Sequence, residues 1–158
     1  MKTVQAFMIG TAALAASLFV APAQTAEEHV LVLPDKVQWG PAPPVVPKGA
    51  EVAVLYGDPA KEGQFAMRLK LPAGYHVPPH THPVDENVTV LSGTFKLGMG
   101  DTADQGMAKP LPAGTFFSLP PGANHYAYTD GETVIQINSV GPWDLKYVNP
   151  ADDPRNKM

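Results

Sequence analysis

Residues 74–93 read GYHVPPHTHPVDENVTVLSG, and residues 114–129 read GTFFSLPPGANHYAYT. In the first stretch, His80 and His82 stand two positions apart. On an extended strand, side chains so spaced point to one face, about 6.5 Å apart along the chain. Two imidazoles there can converge on one ion with bonds of about 2.1 Å. Pro83 ends that strand. Glu86 opens the next one, which can return antiparallel and set a carboxylate beside the two rings. His125 comes nearly forty residues later, at the start of another strand after the turn Pro120-Pro121-Gly122. Each element alone is weak evidence, since a His-x-His pair arises by chance and a lone histidine is ordinarily a polar core residue. A single buried carboxylate would be costly without a partner. Together, His80, His82, Glu86 and His125 are candidate ligands to one metal ion.

The chain around these residues reads as all-β. Eighteen prolines and fourteen glycines interrupt it throughout, and past the first residues no stretch keeps an apolar repeat at helical spacing. Short strand-like runs fall at 30–33, 51–56, 64–71, 86–91, 94–99, 115–119, 124–129, 133–139 and 145–148. The run QFAMRLKL at 64–71 alternates most clearly, with Phe65, Met67, Leu69 and Leu71 on one face and Arg68 and Lys70 on the other. Phe65, Met67, Phe95 and Leu97 read as core. Many short strands between Gly/Pro turns predict a sandwich or closed barrel. Residues 38–48 (QWGPAPPVVPK) are too rich in proline to sustain a ladder. They read as an extended arm over the barrel, with Trp39 placed to cap its mouth.

Gly74, five residues, His80-x-His82, three residues, Glu86, six residues and Gly93 resemble the first cupin motif at every position. Gly114, five residues, Pro120-x-Gly122, two residues and His125 resemble the second motif, except that Thr129 stands where it carries asparagine. The short stretch between the motifs, 94–113, is similar to that of small single-domain bacterial cupins. The resemblance implies an all-β cupin double-stranded β-helix (jelly-roll) barrel, with the four candidate ligands as its metal set. It also implies a homodimer, in which the segments 30–33 and 145–148 could pair across subunits. Gly93, Gly114 and Gly122 fall at turns, where positive φ is often needed.

The first residues have a different character. Met1-Lys2 is basic, residues 6–20 (AFMIGTAALAASLFV) are uncharged and mostly apolar, and Ala21-Pro22-Ala23 offers a small-x-small cleavage site. This order predicts a secretory signal at 1–23 and a periplasmic or secreted protein of bacterial type. The remaining chain divides into a proline-rich arm at 24–49, a barrel at 50–148 and a polar tail at 149–158. Signal removal takes only Lys2 from the charges. Eleven basic residues become ten against fifteen acidic, a net charge of about −5. A mildly acidic domain without basic blocks argues against nucleic acid as a partner, and no later segment is apolar enough to span a membrane. There are no cysteines, so disulfides play no part in stability.

Three imidazoles and one carboxylate suit a divalent transition metal, namely iron, manganese, nickel, copper or zinc, while calcium and magnesium prefer all-oxygen sites. Iron or manganese is favoured if the site is catalytic. In an octahedral ion, four protein ligands leave two positions free, as an oxygenase requires. The resemblance therefore implies a metal-dependent oxidoreductase of dioxygenase type acting on a small organic substrate. The alternatives are a non-catalytic metal or small-ligand binding cupin, serving as sensor or store, and a metal-dependent isomerase. His76 shares the parity of His80 and His82 and is the candidate catalytic residue beyond the ligands. Tyr75, Tyr126 and Tyr128 read as packing residues.

Overall fold

A computed structural model describes residues 29–157. The signal segment and the start of the arm lie outside the described residues. Eleven strands are formed among those described: β1 (Gly40–Pro41), β2 (Glu51–Tyr56), β3 (Gly63–Leu71), β4 (His76–Thr81), β5 (Glu86–Ser92), β6 (Thr94–Met99), β7 (Lys109–Pro112), β8 (Phe116–Leu119), β9 (His125–Thr129), β10 (Thr133–Gly141) and β11 (Lys146–Tyr147). One sheet runs β1-β2-β3-β10-β5-β8 and the other β11-β4-β9-β6-β7, with antiparallel pairing throughout. From β3 onward the chain passes back and forth between the sheets. This is the double-stranded β-helix that the motifs imply.

Alternation along the strands builds the interior. On β3, Phe65, Met67, Leu69 and Leu71 are buried. The ladders set Leu69 opposite Ile135 and Ile135 opposite Val90, then Met67 opposite Ile137 and Ile137 opposite Val88. Two rows of large apolar side chains thus cross the inner face, each residue stabilising the fold by about 1.5–3 kcal/mol through burial. The opposite face of β3 is polar, where Arg68 donates to Gln136 and Lys70 pairs with Glu51. Phe95 from the second sheet closes against this core, with Leu97 partly buried beside it.

Gly93 has φ +74°, and a side chain there would collide with the Glu132 carbonyl and Thr133. It turns the chain out of one sheet and into the other, so β5 and β6 are sequential without pairing. Gly114 and Gly122 also have positive φ. Thr129 replaces the motif asparagine without loss of bonding. Its hydroxyl donates to the Pro72 carbonyl at 2.6 Å and accepts from the Tyr75 amide at 3.1 Å.

Several expectations are corrected. Residues 30–33 form no strand; they lie outside the sheets, with Leu31 82% exposed. The arm is more firmly built in than a loop over the surface. Gly40–Pro41 pairs with β2, Val45 and Val46 enter the core, and Val45 and Pro47 carbonyls accept from the Tyr147 and Tyr75 hydroxyls. Trp39 does not cap the mouth. It lies on the outer face, where the Lys70 ammonium sits 4.4 Å above its ring. In 145–148 only Lys146–Tyr147 forms a strand, β11, which pairs with β4 as the edge of its sheet, and Leu145 and Tyr147 are buried. β7 was unexpected because two of its four residues are proline; it is tolerated as the edge of its sheet. In the tail, the short 3₁₀ turns Pro150–Asp152 and Pro154–Lys157 carry Arg155 back onto Asp144, Asp153 and the Leu145 carbonyl.

Candidate metal centre

Strands β4 and β9 are neighbours, and their register sets His80 directly opposite His125. His82 follows just past the end of β4, where its carbonyl accepts from the Gly122 amide at 3.0 Å. That bond ties the end of the first motif to the turn of the second. The three rings meet with centroids 4.2 Å apart for His80 and His125, 4.9 Å for His80 and His82, and 5.3 Å for His82 and His125. All three are buried, and one ligand atom from each lies within 4.8 Å of the others. Glu86 arrives by a route the sequence did not suggest. β5 does not return beside β4; it belongs to the other sheet, where Glu86 pairs with Leu119. Its carboxylate reaches across the barrel, Oε1 standing 3.4 Å from His82 Nε2 and Oε2 3.3 Å from His125 Nε2.

Each ring is oriented by a backbone carbonyl. Nδ1 lies 2.7 Å from Pro78 O in His80, 2.8 Å from Asp144 O in His82 and 2.9 Å from Ala123 O in His125. A carbonyl can only accept, so each Nδ1 carries the proton and donates it. A neutral ring so held turns a bare Nε2 lone pair inward, as metal-binding histidines require. Burial pushes His80 down to about 3, and the neighbouring His125 and His82 add to this. Burial also lowers His82, against the opposing pull of Glu86. Burial acts to raise Glu86; a bond from His125 and the charges of His82, His125 and His80, present only when those rings take a second proton, outweigh it and hold the carboxyl below its usual range. The buried His82 Nε2 has no hydrogen-bond partner. Bare nitrogen lone pairs facing a carboxylate repel unless a cation lies between them. The donor set therefore fits a divalent metal bound by nitrogen and one carboxylate.

His76 is not brought to this cluster. The β4–β9 register shifts between Val77 and His80, at Pro78 and Pro79, and this bulge reverses the parity. Val77 lines the barrel interior instead, while His76 stacks on Tyr128 at 4.3 Å beside Lys48 and Asp152. Tyr126 is buried against Gly98, and its hydroxyl donates to the Asp104 carbonyl at 3.1 Å.

The sequence reading missed Trp143. It stacks on His82 at 4.9 Å with the rings only 17° from parallel, and it lines the cavity of about 40 Å³ that the four clustered residues share with the apolar interior. The only available signal was its place after Gly-Pro, and Trp39 stands just before another Gly-Pro. Nothing local separates the two.

The fold is the cupin double-stranded β-helix, and it encloses a buried cluster of three histidines that could hold a metal. The chain belongs to the family described as Domain of unknown function (DUF4437), whose model matches residues 20–146. It is similar to germin-like protein 5-1 of Oryza sativa subsp. japonica, 41% identical over 79 residues that are 49% of this chain and 36% of that one. Germin-like protein subfamily 2 member 1 of Arabidopsis thaliana is 39% identical over 76 residues, 48% and 35% of the two chains. The chain spans about a third of the length of these curated relatives. Among solved structures, it is similar in fold to the polyketide cyclase RemF of Streptomyces resistomycificus, with a TM-score of 0.62 at 18% identity over 85% of this chain and 94% of that one. A proposed acetylacetone dioxygenase of Methylibium petroleiphilum PM1 gives a TM-score of 0.62 at 19% identity over 83% and 88%.

Proposed function

We propose that this protein is an exported metal-dependent oxidoreductase of dioxygenase type. It holds one divalent transition metal per chain, iron or manganese by preference, through His80, His82, Glu86 and His125, and acts on a small organic substrate. The observation that carries this reading is the repulsion left standing at the site: inward-facing imidazole nitrogens lie 3.4 and 3.3 Å from a buried carboxylate. When bound, the metal supplies Lewis-acid and one-electron redox chemistry to a substrate in the cavity. The chain's own residues do the rest. The carbonyls of Pro78, Ala123 and Asp144 fix the rings, Glu86 offsets one positive charge, and the apolar walls exclude water.

Among the described residues, none that lines the cavity beyond the four is titratable. Isomerase or epimerase chemistry calls for a further proton donor or acceptor in the pocket, so oxidation at the metal is the better fit. The same observation favours, as a second reading, a binding protein that holds metal and ligand without turnover. The two are separated by stripping the protein, reloading it singly with iron, manganese or zinc, and measuring metal content and dioxygen uptake over phenols, thiols and organic acids. Iron or manganese restores uptake and zinc does not. Full activity with zinc alone contradicts the oxygenase reading. Tight binding of every metal with no turnover supports the second reading.

Export rests on the basic, apolar, small order of residues 1–23. The mature chain then begins at Gln24, and terminal sequencing of native protein with residues 1–23 retained would refute this. A homodimer is part of the proposal, with the exposed apolar residues Val30, Leu31 and Leu33 offered to the second copy. A monomer mass by light scattering at micromolar concentration contradicts it.

A further inference from the structure

The cavity beside the four clustered residues is lined on its far side by apolar groups, including Leu69, Val88, Phe95, Phe117 and Ile135. Its one acidic side chain is Glu86, and among the described residues it has no lysine, arginine, serine, threonine or tyrosine in its wall. Arg68, which could have met an anion, points out of the opposite face and is bonded to Gln136. A second charge at the far end of a ligand would be stranded there without a partner, a heavy penalty in a buried site. One residue of the wall, Trp143, carries an unpaired donor. The indole Nε1 of Trp143 is sealed from solvent and has no acceptor in the protein. Buried donors are satisfied in nearly all native structures, so the missing acceptor is expected to come from what the cavity holds. The stacking of Trp143 on His82 places that donor's ring against a candidate ligand. The volume of about 40 Å³ exceeds the ~10–15 Å³ that one water needs on this measure.

We infer that the site takes a small ligand with an oxygen-bearing metal-binding head and an uncharged apolar body, and that Trp143 positions it by donating its indole N–H to the head's oxygen. This rests on the metal reading above and names the substrate class for it. A carbonyl, enol or phenol head on a short hydrocarbon body has the required chemistry. A dicarboxylate, a sugar acid or a phosphate ester does not.

The test uses two probes of equal size and the same metal-binding head, 4-methylpentanohydroxamic acid and succinic monohydroxamic acid, which differ in a distal isopropyl group or carboxylate. Trp39→Phe protein keeps a single indole, so its N–H resonance reports Trp143 alone. The protein is loaded with zinc, and zinc content is measured first. The expected result has three parts. The isopropyl probe binds at least about 10-fold tighter than the carboxylate probe. It moves the indole N–H resonance downfield. Adding Trp143→Phe weakens that probe by about 10-fold, the size of one hydrogen bond to a charged acceptor, with zinc content unchanged. Equal binding of the two probes, or binding that leaves the indole resonance in place, overturns the inference while the metal site stands. Zinc below half an equivalent per chain, or zinc retained in full by His80→Ala, defeats the metal reading and this inference with it.

Discussion

His80 and His125 face each other across the β4–β9 ladder, forty-five residues apart in the chain and with ring centroids 4.2 Å apart. The pairing follows from backbone register, so these two rings are placed by the sheet rather than by a loop. Glu86 is placed differently. It crosses from the opposite sheet and brings its carboxylate within 3.3 Å of the His125 ring.

Glu86→Gln keeps the volume and removes the charge. Metal affinity, measured by chelator competition, falls at least about 10-fold, because a carboxylate ligand and its neutralising charge are lost together. Unchanged affinity would place Glu86 outside the metal set.

The metal-free protein loses stability in acid. His80 titrates near 3 when folded, pushed down by burial and then by His125 and His82, against about 6.5 in an unfolded chain. The unfolded state therefore binds the proton first as pH falls, and stability present above about 6.5 is lost progressively towards 3. Glu86, lowered in the fold, acts in the same direction at more acid pH. Denaturant melts of stripped protein at pH 7.5 and 5 show a lower midpoint at pH 5. A midpoint independent of pH over that range contradicts the assignment of His80 as a buried neutral ring.

Thr129→Val removes both bonds of the hydroxyl that joins the Pro72 carbonyl to the Tyr75 amide. A buried amide and a part-buried carbonyl lose a partner, with an expected cost of about 1–3 kcal/mol. Thermal unfolding reads this directly, and a midpoint equal to the parent's would show that water replaces the hydroxyl.

Arg155→Ala releases the tail from Asp144 and from the Leu145 carbonyl. The ion pairs are partly exposed, so the loss of stability stays within about 1 kcal/mol. Asp144, however, supplies the carbonyl that orients His82. Metal affinity falls by several fold while the melting midpoint barely moves. Affinity equal to the parent's would show that the carbonyl holds its place without the tail.

These outcomes also mark where sequence reading succeeds and where it stops. Motif spacing identifies His80, His82, Glu86 and His125 as a group, because each lies at or beside the end of a strand and the intervening turns are short. It does not reveal which sheet a strand joins, so Glu86 was expected beside β4 and lies across from it. Parity assigned His76 to the interior, but prolines 78 and 79 carry a bulge that turns it out and Val77 in. Trp143 reaches the cavity through the chain reversal before β11, a long-range event that no local pattern encodes.

The most direct test of the metal centre is metal content per chain by mass spectrometry on folded protein, for the parent, His80→Ala and His125→Ala. One equivalent in the parent and less than about a tenth in each variant is the predicted result. A full equivalent in both variants would mean that the ion, wherever it sits, is not held between β4 and β9.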